Sequence, residues 1–383
     1  MGVMILILMN TLTWIVVFTS LGYVLFVVII VRGLKKIRTI SSTMKPMVSV
    51  VIAARNESRS IGECLTSLME QDYDPGLYEV IVADDQSTDG TQDILARFTS
   101  AWNSLKVISI HTVPADVSPK KHALVQAIDS ASGDIILQTD ADCIVPPTWI
   151  TGMVSRFGKG IDMVTGMAPY FAGHGMLNSF IRHEYLWNCA LSAGSITLGH
   201  GTHASGRNLA FRKDVFDSIG GYGDSLKILS GDDTLLLHRI QKVRPGGIVT
   251  NTDPSSHVYS RAPGDLMSFF LQRVRHMSTG RYFDPVLIIT GAVVYGFHIG
   301  LLVSLALSIV SSRAALLFAG GFILKLGVDC VAAFMISRTV TLEVQWSKII
   351  INELLLVIYM SIIPLAALWM PVPWKEKELK KRS

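Results

Sequence analysis

Four stretches of the chain are apolar for long enough to cross a bilayer, and a long region between the first and second is patterned like a soluble α/β domain. Residues 4–31 carry no charge, and about 20 apolar residues suffice for a span. A secretory signal would have a basic start, a shorter apolar core and a small-residue cleavage site. None is evident, so residues 1–32 read as a retained membrane anchor. Three further apolar stretches follow at 286–310, 314–337 and 349–370. Lys325 and Asp329 lie four apart in the middle one and share a helical face. They read either as a mutually neutralising pair or as functional intramembrane charges.

Between these stretches the period changes. "MVSVVIAARNES" opens on a β-branched run, 48–52, that reads as a buried parallel strand. Ser60 then offers a helix N-cap, and Glu63 three residues on completes a capping box. Ile61, Leu65, Leu68 and Met69 form the apolar stripe of that helix. "YEVIVADD", 78–85, is a second strand ending on acids, followed by the turn "QSTDGT" and another amphipathic helix. "KHALVQAIDSASGD" is a helix stopped near Gly133, and "IILQTDADC" is the next strand. Alternating strands and helices imply a mostly parallel sheet with helices on both faces, an α/β fold. Ligands bind such sheets beyond the carboxyl ends of the strands. All three strand ends here are polar: Arg55, Asn56 and Glu57; Asp84 and Asp85; Asp140 and Asp142.

Composition and charge refine this picture. The chain has 383 residues, 50% of them hydrophobic, and a net charge of +4. Arg32, Lys35, Lys36, Arg38 and Lys45 crowd the end of the first apolar stretch, and basic flanks stay in the cytoplasm. The expected organisation is therefore an anchor (1–32), a cytoplasmic domain (46–284), about three C-terminal spans (286–370) and a basic tail (371–383). Four spans would put both ends outside, whereas five basic residues in "WKEKELKKRS" favour the cytoplasm. The sequence leaves the topology of that end open. The modest positive charge, placed mostly at membrane boundaries, suits anionic headgroups and not nucleic acid. Cys64, Cys143, Cys189 and Cys330 have no metal or redox spacing.

Asp140 and Asp142 form an acid-any-acid pair that, alone, is more often a solvated turn than a metal site. Its company changes the balance. Neither GxxxxGK[ST] nor a GxGxxG after a strand is present to cradle phosphates. Carboxylates with Mg²⁺ or Mn²⁺, the other positions filled by phosphate oxygens, are the remaining way to hold a nucleotide diphosphate.

The succession "VVIAARNES", "VADDQSTDG", "PKKHAL", "TDADC", "SGRNLAFRK", "SGDDTLLLHRI" and "QRVRH" resembles the membrane-bound family 2 glycosyltransferases of the GT-A fold, relatives of cellulose and poly-N-acetylglucosamine synthases. The resemblance covers residues 46–282, and the flanking apolar stretches match the membrane-bound members. It implies that Ala53, Arg55 and Glu57 line the nucleotide pocket and that Asp84 or Asp85 accepts from the base. Lys120 would reach the nucleotide, Asp140 the ribose or metal, and Asp142 would be the metal ligand proper. Asp233 would be the catalytic base, with Asp232 orienting it or touching the acceptor; a helix N-terminus also favours acids there. Gln272 and Arg275 would face the diphosphate and acceptor, but His276 stands where the family places a Trp that stacks on a growing chain. His200, His203 and His257 read as structural, His257 with a slight claim to the metal.

The implied activity is inverting, metal-dependent transfer from a UDP- or GDP-sugar to a lipid or lipid-linked acceptor, by a multi-pass protein of the cell (inner) membrane with its catalytic domain in the cytoplasm. A processive polysaccharide synthase and an inactive scaffold of the same fold are the alternatives.

Overall fold

The structure is a computed structural model; it describes residues 2–283 and 285–370, so the basic tail from 371 onward lies outside the described residues. Along the chain, α1 (Gly2–Leu34) precedes β1 (Val48–Ala54), α2 (Ile61–Met69), β2 (Tyr78–Asp84), α3 (Thr91–Ala101) and β3 (Leu105–Ser109). Next come α4 (Pro119–Asp129), β4 (Ile135–Gln138), β5 (Cys143–Ile144), α5 (Trp149–Val154), β6 (Met163–Gly166) and α6 (Gly175–Thr197). β7 (Leu209–Arg212), α7 (Lys213–Ser218), α8 (Thr234–Val243), β8 (Ile248–Asn251) and β9 (Tyr259–Ser260) follow. The chain then runs through α9 (Leu266–Met277), α10 (Pro285–Leu307), α11 (Ser312–Val340) and α12 (Ile349–Trp369).

These elements form two compact units. Among the described residues, one is drawn from 2–35, 173–194 and 263–370; the other from Lys36–Ala172 and Ser195–Ala262. Within the stretch 46–284, residues 173–194 and the described residues from 263 onward fall in the first of these units. Residues of α6 up to Gly194, and α9, group with the apolar helices, because their buried charges find partners there.

The second unit is built on a seven-stranded sheet of order β3-β2-β1-β4-β7-β6-β8. β3, β2, β1 and β4 run parallel, while β7 is antiparallel to both β4 and β6. Side chains alternate across a strand with period two, and both faces of β1 are covered, so it is apolar except at Ser49, whose hydroxyl donates to Glu79 Oε1 at 2.6 Å. Val48, Val50, Ile52 and Ala54 join Ile61, Leu65, Leu68 and Trp149 on one face. Val51 joins Ala123, Leu124, Ala127, Phe211 and Leu236 on the other. Each such fully buried aliphatic side chain contributes about 1.5–3 kcal/mol. The capping box is not formed. Ser60 Oγ makes no cap bond and turns back to Glu57 Oε2 at 2.9 Å, while Glu63 pairs with Arg261.

In the other unit, four helices among the described residues are long and apolar enough to cross a membrane: Leu6–Leu34, Pro285–Leu307, Ser312–Val340 and Trp346–Trp369. Hydrocarbon offers no hydrophobic drive between helices, so close backbone packing matters. Gly33 and Gly194 show it: a Cβ on Gly33 would lie 2.4 Å from the Gly194 carbonyl oxygen. Inside the bundle, Lys325 and Asp329 do pair, at 2.6 Å. Lys325 also meets Glu353 of α12. Asp329 accepts from the Tyr23 hydroxyl of α1 at 2.7 Å, and Glu353 contacts His183 of α6 at 2.8 Å. Beside it Glu184 takes Arg273 of α9 in a two-pronged pair, 2.9 and 2.7 Å, and the Tyr359 hydroxyl at 3.0 Å.

Candidate functional site

β2, β1 and β4 lie side by side, so their carboxyl ends line one edge of the sheet. Beyond β1 and β2 the backbone takes two left-handed residues, Asn56 at φ 52° and Gln86 at φ 56°. Non-glycine residues persist there only when their surroundings hold them. Here Asn56 N–H donates to Ser87 Oγ (2.9 Å) while its Oδ1 accepts from Thr88 N–H (2.8 Å). Glu57 N–H donates to Thr91 Oγ1 at 2.8 Å, so the two loops are stitched together.

The acids at the tip of β2 differ in what they have left to offer. Both oxygens of Asp84 are taken, by Ser87 Oγ at 2.5 Å and Gln92 Nε2 at 2.8 Å. Asp85 holds Arg55 through Oδ2 at 2.8 Å, but its Oδ1 is buried without a hydrogen-bond partner. Buried polar atoms are nearly always paired, and an acceptor of this kind suits the N–H of a ligand. Ala53 lies near the end of β1, half-buried, opposite Ala83 of β2.

β4 stops at Gln138, earlier than the sequence implies, and the two metal-type acids sit in the loop between β4 and β5. Lys120 Nζ bridges Asp140 Oδ1 (2.9 Å) and Asp232 Oδ2 (3.2 Å). The acid-any-acid loop and "SGDD" are thereby tied by one cation. Burial opposes the charge on Lys120, but Asp140 and Asp232 outweigh it and hold the ammonium protonated. Gln138 Nε2 donates to the same Asp232 oxygen at 2.8 Å. Gly206 packs against this group: a Cβ there would be 2.9 Å from Gln138 Nε2 and 3.0 Å from Asp232 Oδ2. Its N–H donates to Asp233 Oδ2 at 2.7 Å, and Thr234 N–H to Asp233 Oδ1 at 2.5 Å.

These environments separate the two acids of "SGDD". Burial raises the Asp232 carboxyl, but the charge and hydrogen bond of Lys120, with Lys121 and Gln138, overcome it and hold the group below the usual range. Asp233 is pushed up to about 6, by burial first and then by Asp232. A carboxylate raised in this way takes a proton more readily than its neighbour does. Asp142 is exposed to solvent. Partial burial and the charges of Asp140 and Glu57 raise it, while Arg207 opposes them. Carboxylates crowded in this way are relieved by a divalent cation, and with two of them phosphate oxygens and water fill the remaining positions. No cluster of three His, Cys, Asp or Glu side chains suited to a metal occurs among the described residues.

The remaining candidates lie elsewhere. His257 is buried, with Nε2 3.3 Å from the Thr252 carbonyl, and burial pushes its pKa down. It is part of the core. His203 Nδ1 contacts Thr202 Oγ1 at 3.0 Å, and the His200 N–H caps Ser195 O. Cys64 and Cys143 are buried free thiols pushed up by burial, so they stay protonated beside the acids. Gln272, Arg275 and His276 lie on α9 in the membrane unit, where Gln272 Oε1 accepts from Arg273 at 3.0 Å. Three contributors escaped sequence reading: Gln138, Gly206 and Lys121. Only their place beside the motifs hinted at them.

Residues 49–220 match the sequence profile of Glycosyl transferase family 2. The chain carries a family 2 glycosyltransferase domain. Among curated relatives, Glycosyltransferase AglE of Haloferax volcanii is 29% identical over 189 residues, 49% of this chain and 59% of AglE. A beta-monoglucosyldiacylglycerol synthase of Nostoc sp. is 34% identical over 114 residues, 30% of this chain and 24% of the synthase. The matches thus span well under two thirds of these relatives' own lengths. In fold, the chain is similar to the mannosyltransferase PcManGT of Pyrobaculum calidifontis, solved with GDP-Man and Mn2+. Its TM-score is 0.61 at 20% identity, over 92% of this chain and 98% of that one. The mostly parallel sheet expected from the sequence is the one this glycosyltransferase domain has.

Proposed function

We propose that the protein is an inverting, metal-dependent glycosyltransferase that moves one sugar from a nucleotide-diphospho-sugar to a lipid or lipid-linked acceptor at the cytoplasmic face of a membrane. The observation that carries this reading is the Lys120 bridge, which gathers Asp140, Asp232 and, next to it, Asp233 at the carboxyl edge of the sheet. Asp85 Oδ1 accepts from the base, and Ala53, Arg55 and Glu57 border it. Asp140 and Asp142 would hold Mg²⁺ or Mn²⁺, which when bound neutralises diphosphate charge.

The chemistry falls to Asp233. An acceptor hydroxyl oxygen attacks the anomeric carbon and forms the new glycosidic bond. The bond to the diphosphate breaks, and its electron pair leaves with the nucleoside diphosphate. The hydroxyl proton goes to the Asp233 carboxylate, which Gly206 and Thr234 N–H groups hold in place. Asp232, kept ionised by Lys120 and Gln138, orients the acceptor. The lipid acceptor is supported by the four long apolar helices and by α9, which exposes Leu266 and Met267. The relative named for glucosyldiacylglycerol synthesis points the same way.

A screen of UDP- and GDP-sugars on the purified full chain, reading release of the nucleoside diphosphate, tests the reading; no release from any donor with either metal would contradict it. Two finer outcomes follow. In calorimetry, Asp142→Ala should leave nucleoside diphosphate binding without its dependence on Mn²⁺; metal-dependent binding of wild-type strength in that variant would remove Asp142 from the site. The base works only when ionised, so kcat/KM should climb as pH rises through about 6, where Asp233 loses its proton. A profile flat from pH 4.5 to 7 would assign the proton elsewhere.

A further inference from the structure

The chain that delivers "SGDD" to the site has little regular structure of its own. From Gly223 it makes one 3-10 turn, Gly223–Lys227, and then runs irregularly to Gly231. Its carbonyls are nonetheless almost all held. Lys121 Nζ donates to Ser225 O at 2.7 Å, Ile228 O at 2.8 Å and Ser230 O at 3.1 Å. Ser118 donates through its N–H to Leu226 O at 2.7 Å and through Oγ to Leu229 O at 3.3 Å. From 225 to 230, only the Lys227 carbonyl is without a partner from this turn.

We propose that the first turn of α4 is a clamp that positions the loop bearing Asp232 and Asp233, with Lys121 as its central positioning residue. Two consecutive lysines divide the work. Lys120 points at the side chains of the acids, and Lys121 points at the backbone that carries them. Lys121 is wholly buried, at 0% exposure, and has no ion-pair partner among the described residues. Burying an ammonium is costly unless its protons are bonded, and an ammonium has three donors and no acceptor. Three carbonyls match it one for one. A neutral amine has only two N–H groups for the same three oxygens, so the clamp needs the charged form.

The surroundings leave that charge weakly held. Burial lowers the pKa of Lys121, Asp232 and Asp233 raise it, and Lys120 lowers it, for a balance of about 8. The Tyr222 ring lies 5.9 Å from its nitrogen. Below about 8 all three carbonyls are held. As pH rises through that value one loses its donor, and the loop loosens.

That loop order sets the rate of sugar transfer rests on the function proposed above; that Lys121 orders the loop does not. Hydrogen exchange over residues 223–231 of the full chain, corrected for intrinsic rates, separates the two. Lys121→Met should lose tenfold or more protection in this segment at pH 7, with β1, β2 and β4 unchanged. Wild-type protection should fall between pH 7 and 9.5, and this fall should vanish in the variant. In turnover, kcat should drop about tenfold with a smaller rise in donor KM, and the decline of activity above pH 8 should disappear. Loop protection equal to wild type at pH 7, or a pH-dependent fall that survives in Lys121→Met, would overturn the clamp. Should that variant fail to fold, constant wild-type protection from pH 7 to 9.5 would overturn it alone. A loop that loosens as stated in a protein that turns over no nucleotide sugar would uphold the clamp and remove the proposed reaction.

Discussion

Lys325→Met should cost the membrane unit about 3–5 kcal/mol, the usual penalty for leaving a buried charge without its partner. Lys325, Asp329 and Glu353 are all wholly buried. Among the described residues Lys325 is the ammonium that touches both carboxylates, so removing it takes an ionic partner from each. Tyr23 and His183 satisfy part of Asp329 and Glu353, but neither replaces an ammonium touching the two acids at once. In detergent, the variant should melt well below wild type or lose its monodisperse peak. Replacing Lys325, Asp329 and Glu353 together by Met, Leu and Leu should recover much of the loss, because a whole ion network exchanged for apolar side chains is often near neutral. A single variant that melts with wild type would show that the three charges are not coupled.

Asp233→Asn should lower turnover by about 10² or more, the range for removing a general base, or about 2.7 kcal/mol on the barrier. The amide keeps the shape of the side chain, and its oxygen can still accept from the Gly206 or Thr234 N–H. The site around it should therefore stay in place, and donor binding should survive. Asp232→Asn should act differently. It loosens the Lys120 bridge to Asp140, so it should disturb donor binding as well as turnover. Near-normal transfer by Asp233→Asn would move the base to Asp232 or another group.

What the sequence revealed and what it hid follow from the range of the interactions involved. β1, β2 and the acids at their ends were legible because a buried parallel strand writes itself as a mostly apolar run, broken here only by Ser49 and Glu79, and the polar residue that ends it marks the sheet's edge. Ser60 misled for a local reason: its hydroxyl donates to Glu57 Oε2 instead of accepting from the helix N–H groups. β7 running against β4 was not visible, since strand direction depends on the path of the intervening chain. The Lys325–Asp329 pair was visible as a four-residue spacing, whereas Glu353 and His183 join it from other helices. α6 looked like part of the soluble domain until the partners of His183 and Glu184 were known. In the site, the acids announced themselves by type. Gln138 and Lys121 act through contacts with segments far away in the chain, and only their place beside the acidic and basic motifs hints at them.

Labelled donor supplied to membranes containing the full chain tests transfer of one sugar to a membrane lipid. With Mn²⁺ present, label should enter organic-extractable material that migrates as one discrete species, and none should do so with Asp233→Asn. Label accumulating instead in high-molecular-weight polymer that organic solvent does not extract would contradict it.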